Sequence, residues 1–252
     1  MFLSMADDLD PILREWPFEP GALQARMIIG DDGRPKIQLR LDLGILQMEI
    51  SGRPDGQTPF GYESFLDHYE NMAARFKREN KEEVFKLTND DCLKLQQEAI
   101  QYYHRYLAFF QLQNYTAVIR DTQRNLRLFD FVVRYAEKPE LGNMFQQFRS
   151  YVLMMLTRAQ AMLALRNKDY DLALKHLDWG VQTIETFIEE NYPPEVLTQN
   201  AEIQFLQNWK KEIEAQRPLT PRQKLHQQML DAVKREDYER AARLRDALKE
   251  LG

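Results

Sequence analysis

Apolar residues recur every second position in the first fifty residues, and every third or fourth from about residue 62 onward. The change of period predicts a β segment followed by a long helical one. Ile37, Leu39 and Leu41 alternate with Lys36, Gln38, Arg40 and Asp42. Leu46, Met48 and Ile50 repeat the pattern beyond Gly44, and Leu23, Ala25, Met27 and Ile29 give an earlier run. Gly30-Asp31-Asp32-Gly33-Arg34-Pro35 joins two of the runs with residues that tolerate turn geometry. The expectation is a small three-stranded antiparallel β-meander, with its following loop, over residues 1–61. Three strands are marginal alone, so the apolar face needs a cover. Tyr62, Phe65, Leu66, Tyr69, Met72, Ala73 and Phe76 form a helical stripe, and residues 62–87 are read as a covering or connecting helix.

Residues 88–216 read as helix throughout. Thr88 to Asp91 has the form of a capping arrangement, and one helix is expected from about Met144 to Arg166. The breaks keep a constant register: Tyr115 and Tyr170 lie 55 residues apart, as do Pro139 and Pro194. That punctuation suggests stacked helical hairpins, each burying its neighbour's apolar face. Arg158 to Leu174, with Leu177 and Gly180, resembles a tetratricopeptide (TPR) unit, a family that places small residues such as Ala161, Ala173 and Gly180 at a close helix crossing. The earlier unit carries Tyr106 and Val118 where small residues are expected, and the spacing exceeds the usual 34 or so, so the region is TPR-like.

Residues 217–252 form a third zone. Thr220 reads as an N-cap, with Pro221 at the first helical position and Gln223 three residues after the cap. Leu225, Met229, Ala232 and Val233 are spaced for one helical face. Lys234 to Asp237 makes a turn, and a second helix starts at Tyr238. The segment resembles the UVR motif of the bacterial excision-repair proteins UvrB and UvrC. Tyr238, Glu239, Ala241, Ala242, Leu244, Arg245 and Asp246 match the aromatic-Glu-x-Ala-Ala-x-Leu-Arg-Asp core, with Leu225 and Met229 in the first helix and Leu248 and Leu251 closing the second. The resemblance implies a protein–protein docking role, known both in repair and in adaptors of bacterial protein quality control. The partner-binding residues it implies are Leu225, Met229, Tyr238, Ala241, Ala242, Leu244, Arg245, Asp246, Leu248 and Leu251. A hairpin this short buries little apolar area by itself. The Ala241-Ala242 pair permits a close helix approach, and the leucines then leave an apolar surface that seeks another polypeptide.

Composition narrows the chemistry. A hydrophobic share of 44% and a charged share of 29% belong to an ordinary globular chain. The net charge of −5 disfavours wrapping nucleic acid over the whole surface. No apolar run approaches the length of a membrane span, and the start lacks a basic stretch followed by an apolar core. The single cysteine, Cys92, excludes a disulfide framework and suits a reducing, cytoplasmic compartment. His68, His104, His176 and His226 lack metal-ligand spacing, and no phosphate-cradling glycine loop is present, so neither a metal nor a cofactor is expected. Arg40, Arg53, Asp55 and Gln57 are the one set with the chemistry to meet around a small ligand, beside the Gly52–Gly61 loop.

The sequence thus predicts a mainly α protein: TPR-like stacked helical hairpins, an N-terminal β-meander and a C-terminal UVR helical hairpin. The expected function is that of a non-enzymatic adaptor whose partner carries a UVR-like or other helical docking surface; self-association as a homo-oligomer stays open. An accessory role in bacterial nucleotide excision repair, touching nucleic acid only indirectly, is the alternative, and an enzyme using the Gly52–Gly61 loop is a weaker one.

Overall fold

The computed structural model describes residues 8–218 and 221–250. It divides into two compact units, Met1–Asn208 and Trp209–Gly252. The Thr220 cap and the contribution of Leu251 lie outside the described residues.

The first unit opens with a short helix α1 (Asp10–Glu15) and three strands, β1 (Ala25–Ile29), β2 (Pro35–Leu41) and β3 (Gly44–Glu49). They form an antiparallel sheet in the order β1-β2-β3, with Met27 opposite Ile37 and Ile37 opposite Met48. The turn at Gly30–Gly33 is closed by main-chain bonds, Gly30 N to Arg34 O at 2.8 Å and Gly33 N to Gly30 O at 2.9 Å. Its Asp32 carboxylate pairs with Arg34 and Lys36, at 2.7 and 3.1 Å.

Ile37, Leu39 and Met48 are buried, as the alternation predicts. The opposite face is less open than expected, because Gln38 and Arg40 are also buried. The segment before β1 returns over them: Arg40 Nε donates to the Trp16 carbonyl at 2.8 Å, and the Arg26 guanidinium lies 4.3 Å from the Trp16 ring. Beneath it Arg26 donates to Gln38, and Gln38 to Gln47, at 2.8 and 2.9 Å. This ladder satisfies the polar groups that the cover removes from water.

Helix α2 (Phe65–Arg78) starts at Ser64, whose hydroxyl accepts from the Asp67 amide, and α3 (Asn89–Gln111) starts at a complete capping box between Thr88 and Asp91. The sheet is covered by α3, which lies against β1 and β2. The earlier helix instead packs its Leu66, Tyr69 and Ala73 into the helical core with Phe85, Leu87 and Leu95, so residues 62–87 connect rather than cover.

The body continues through α4 (Tyr115–Tyr135), α5 (Pro139–Gln146), α6 (Arg149–Arg166), α7 (Tyr170–Asn191), α8 (Pro194–Gln199) and α9 (Ala201–Gln216). The single helix expected from Met144 to Arg166 is therefore two, interrupted at Gln147-Phe148, and α8 and α9 are likewise parted at Asn200. Both breaks create a short helix with proline in its first turn. Each 55-residue unit thus holds a third, short helix beside its helical hairpin, which accounts for its length.

Both hairpin turns are built alike. Gln113 and Lys168 take positive φ, 57° and 58°, and the next residue's amide reaches back to the Phe109 or Ala164 carbonyl, at 2.9 and 3.0 Å. That next residue, Asn114 or Asp169, then caps the following helix with its side chain. At the α6–α7 crossing Ala161, Ala173 and Leu177 are fully buried, and a Cβ on Gly180 would lie 2.2 Å from Thr157 Oγ1. The α3–α4 crossing buries the larger Tyr106 and Val118.

Candidate partner-docking site

The second unit ends in α10 (Pro221–Lys234) and α11 (Tyr238–Glu250), packed as a hairpin. Its turn repeats the construction of the other two. Glu236 has φ 59°, the Asp237 amide reaches the Ala232 carbonyl at 2.9 Å, and Asp237 Oδ1 accepts from the Arg240 amide at 3.1 Å. Ala232 and Ala241 are the buried residues among the hairpin side chains described. With one small residue from each helix buried, the larger side chains sit beside the contact rather than under it.

Leu225 and Met229 on α10 are half-buried, as are Ala242, Leu244 and Leu248 on α11. Tyr238, which opens the second helix, is 67% exposed. Leu230 and Val233 on α10 are each 46% exposed. Spacing along α10 marks Leu230, one residue after Met229, as off the inward stripe, whereas Val233, four residues after Met229, follows the stripe and is exposed nonetheless. Arg245 pairs with neighbouring Asp246 at 3.0 Å, and Arg243 faces Glu239 at 3.7 Å, all of them exposed. Such pairs contribute little to stability. They do fix the sign of charge at the edge of the apolar surface, which favours one partner orientation over another.

The loop after β3 has a different role from the ligand site considered for it. Arg53 pairs with Asp55 at 3.1 Å and lies over the Phe65 ring at 4.6 Å, while Gln101 donates to Asp55 at 2.9 Å. Arg40 is engaged with the Trp16 and Gly44 carbonyls instead, so the four residues do not converge. What holds the loop is Arg105 of α3, which donates to the Gly52 carbonyl at 2.7 Å and the Glu49 carbonyl at 3.1 Å. Its other nitrogens form two parallel bonds to Asp121 of α4, at 2.7 and 2.9 Å. Glu98, fully buried, accepts from the Phe65 and Leu66 amides at 2.8 and 3.2 Å and pairs with Arg124. This network was not legible in the sequence, and its geometry is that of a structural clamp.

Cys92 is buried, and burial, with the charges of Asp91 and Glu137, pushes its thiol up to about 11. Among the described residues no group of three or more His, Cys, Asp or Glu is placed to hold a metal ion. No helix among them is long and apolar enough to cross a membrane.

With this geometry in hand, the relatedness of the C-terminal hairpin is defined. Residues 222–252 match the family model of the UvrB/uvrC motif, UVR. The motif is a module of protein–protein interaction and of DNA repair, and here it makes up the hairpin of α10 and α11. No curated protein and no solved structure matches the chain.

Proposed function

We propose that this protein is a non-enzymatic, cytoplasmic adaptor that docks a partner protein through its C-terminal hairpin, the partner offering a UVR-like or other helical surface. One observation carries the reading. In a segment matching the UVR motif, Ala232 and Ala241 are buried while Leu225, Met229, Leu244 and Leu248 stay half-exposed. A groove or second hairpin that removes those side chains from water gains about 25 cal/mol per Å² of apolar area covered.

The test titrates the full chain with a purified UVR hairpin of the UvrB type, by calorimetry. Saturable binding is expected, weakened at least tenfold by Leu244→Asp and by Leu230→Asp. The second variant alters an exposed position, so it can be judged with the hairpin intact by circular dichroism. Unchanged binding by both variants refutes the docking reading.

A repair-associated reading has a separate support: residues 217–252 hold nine Lys and Arg against six Asp and Glu. Retention on DNA that falls steeply between 50 and 200 mM salt, on the order of a counterion-release slope, is its expected sign. Absence of retention at low salt removes it.

A further inference from the structure

Helices α3, α4, α5 and α6 line a half-open cavity of about 450 Å³, remote in sequence from the hairpin. Its floor is aromatic and aliphatic, including Phe129, Phe145 and Val152, and two large apolar side chains, Ile100 and Phe148, remain 48% and 49% exposed at its mouth. Phe148 stands at the interruption between α5 and α6, so the break absent from the sequence pattern is also what brings this ring to the opening.

The lining contains no Asp, Glu, Lys or Arg, in a chain of which 29% is charged. Its polar groups are an amide pair, Gln96 and Asn125, one imidazole and three phenols. Asn125 is already committed, donating to the Ala99 carbonyl at 3.0 Å. The phenols cluster: the Tyr103 ring lies 5.5 Å from that of Tyr106 and 6.1 Å from that of Tyr151.

We propose that this cavity binds an uncharged, largely aromatic small molecule of two or three rings. Size and charge both select that class. An apolar cavity of about 150 Å³ takes up benzene, so a space three times larger suits a multi-ring ligand, and it lies within the range of about 300–1,000 Å³ typical of ligand pockets. A charged ligand would give up hydration on entry and find no countercharge in the lining. The clustered phenols supply hydrogen bonds for one polar substituent, which would fix the ligand's orientation. Burial holds His104 below the ordinary imidazole range, so it too meets the ligand uncharged. A docked peptide is less well served, because its main-chain N–H and C=O groups need partners, and Ile100 and Phe148 offer none at the mouth.

The probe is N-phenyl-1-naphthylamine, neutral and fluorescent in apolar surroundings, titrated into the full chain. One saturable site is expected, with the sulfonate-bearing anilinonaphthalene analogue bound at least tenfold more weakly. Ile100→Asp, at the exposed mouth, and Ala99→Phe, which fills space at the lining, each lower probe affinity at least tenfold, with helicity unchanged by circular dichroism. Should Ala99→Phe fail to fold, Ile100→Asp decides alone. Leu230→Asp on the hairpin leaves probe binding as it was. The proposal is overturned if folded Ile100→Asp binds the probe like the parent chain, or if Leu230→Asp abolishes binding. It is also overturned if the sulfonate analogue binds equally well, or if a tryptophan-containing apolar peptide displaces the probe more effectively than free indole does.

Discussion

The guanidinium of Arg105 and the carboxylate of Asp121 lie side by side across the α3–α4 contact, each side chain only 1% exposed. A pair removed from water this far depends on complete partnering. Here Arg105 spends its remaining donor on the Gly52 and Glu49 carbonyls, and Asp121 also accepts from Arg120 at 2.8 Å. Removing one member strands the other. Asp121→Asn or Arg105→Met is expected to lower unfolding stability by about 3–5 kcal/mol, read by urea denaturation. The double variant, Arg105→Met with Asp121→Leu, is expected to lose clearly less than the sum.

Gly180 sets two effects of opposite sign against each other. Alanine in a helix interior gains about 1 kcal/mol over glycine from propensity alone. Its Cβ, however, would stand 2.2 Å from Thr157 Oγ1 and 2.5 Å from Thr157 Cγ2, which forces α6 and α7 apart. Overpacking of this kind costs about 1–3 kcal/mol or more, so Gly180→Ala is expected to lower the melting temperature. Adding Thr157→Ala should restore only part of the loss, because the Cβ it keeps still stands 2.8 Å away, whereas Thr157→Gly removes the contact altogether.

The turn at Lys168 should be improvable. A residue with a side chain pays about 1–2 kcal/mol to hold the left-handed conformation that glycine adopts freely, and Lys168 sits there at φ 58° on the exposed surface. Lys168→Gly is expected to raise stability by up to about 1 kcal/mol, measured as a shift in the denaturation midpoint at unchanged slope.

Acid should weaken the first unit well before its carboxylates titrate. Burial is the leading cause holding His68, His104 and His176 below the ordinary imidazole range. Below about pH 6.5 the unfolded chain therefore binds more protons than the folded one. The stabilising contribution of these groups is complete above that pH and is lost as the pH falls toward their lowered values. The melting temperature is expected to drop between pH 7.5 and pH 5.5, and His104→Phe should flatten the drop.

Local signals in the sequence translated faithfully into local structure. Alternation around Ile37 and Leu39 placed the strands, and the polar-plus-tyrosine pairs at Asn114-Tyr115, Asp169-Tyr170 and Asp237-Tyr238 marked the three hairpin turns. The interruptions at Gln147-Phe148 and Asn200 carry neither glycine nor proline at the break itself, so nothing in the helical period announces them. Burial of Gln38 and Arg40 depends on Trp16, more than twenty residues away. The Glu98 acceptor site is made by amides 32 and 33 residues earlier in the chain. Of the hairpin, Ala241 and the leucine spacing were legible, because both helices lie within one short segment. The cavity beneath Phe148 was not, since it needs four helices brought together.

Where scissors would do least harm follows from what Arg105 holds. A fragment starting near residue 62, at the visible change from strand to helix, would keep the guanidinium and discard the two main-chain oxygens that satisfy it. The strands, for their part, would lose α3 as their roof. Sheet and body should accordingly melt together, as a single cooperative transition, and the natural place to part the polypeptide is after α9 ends at Gln216.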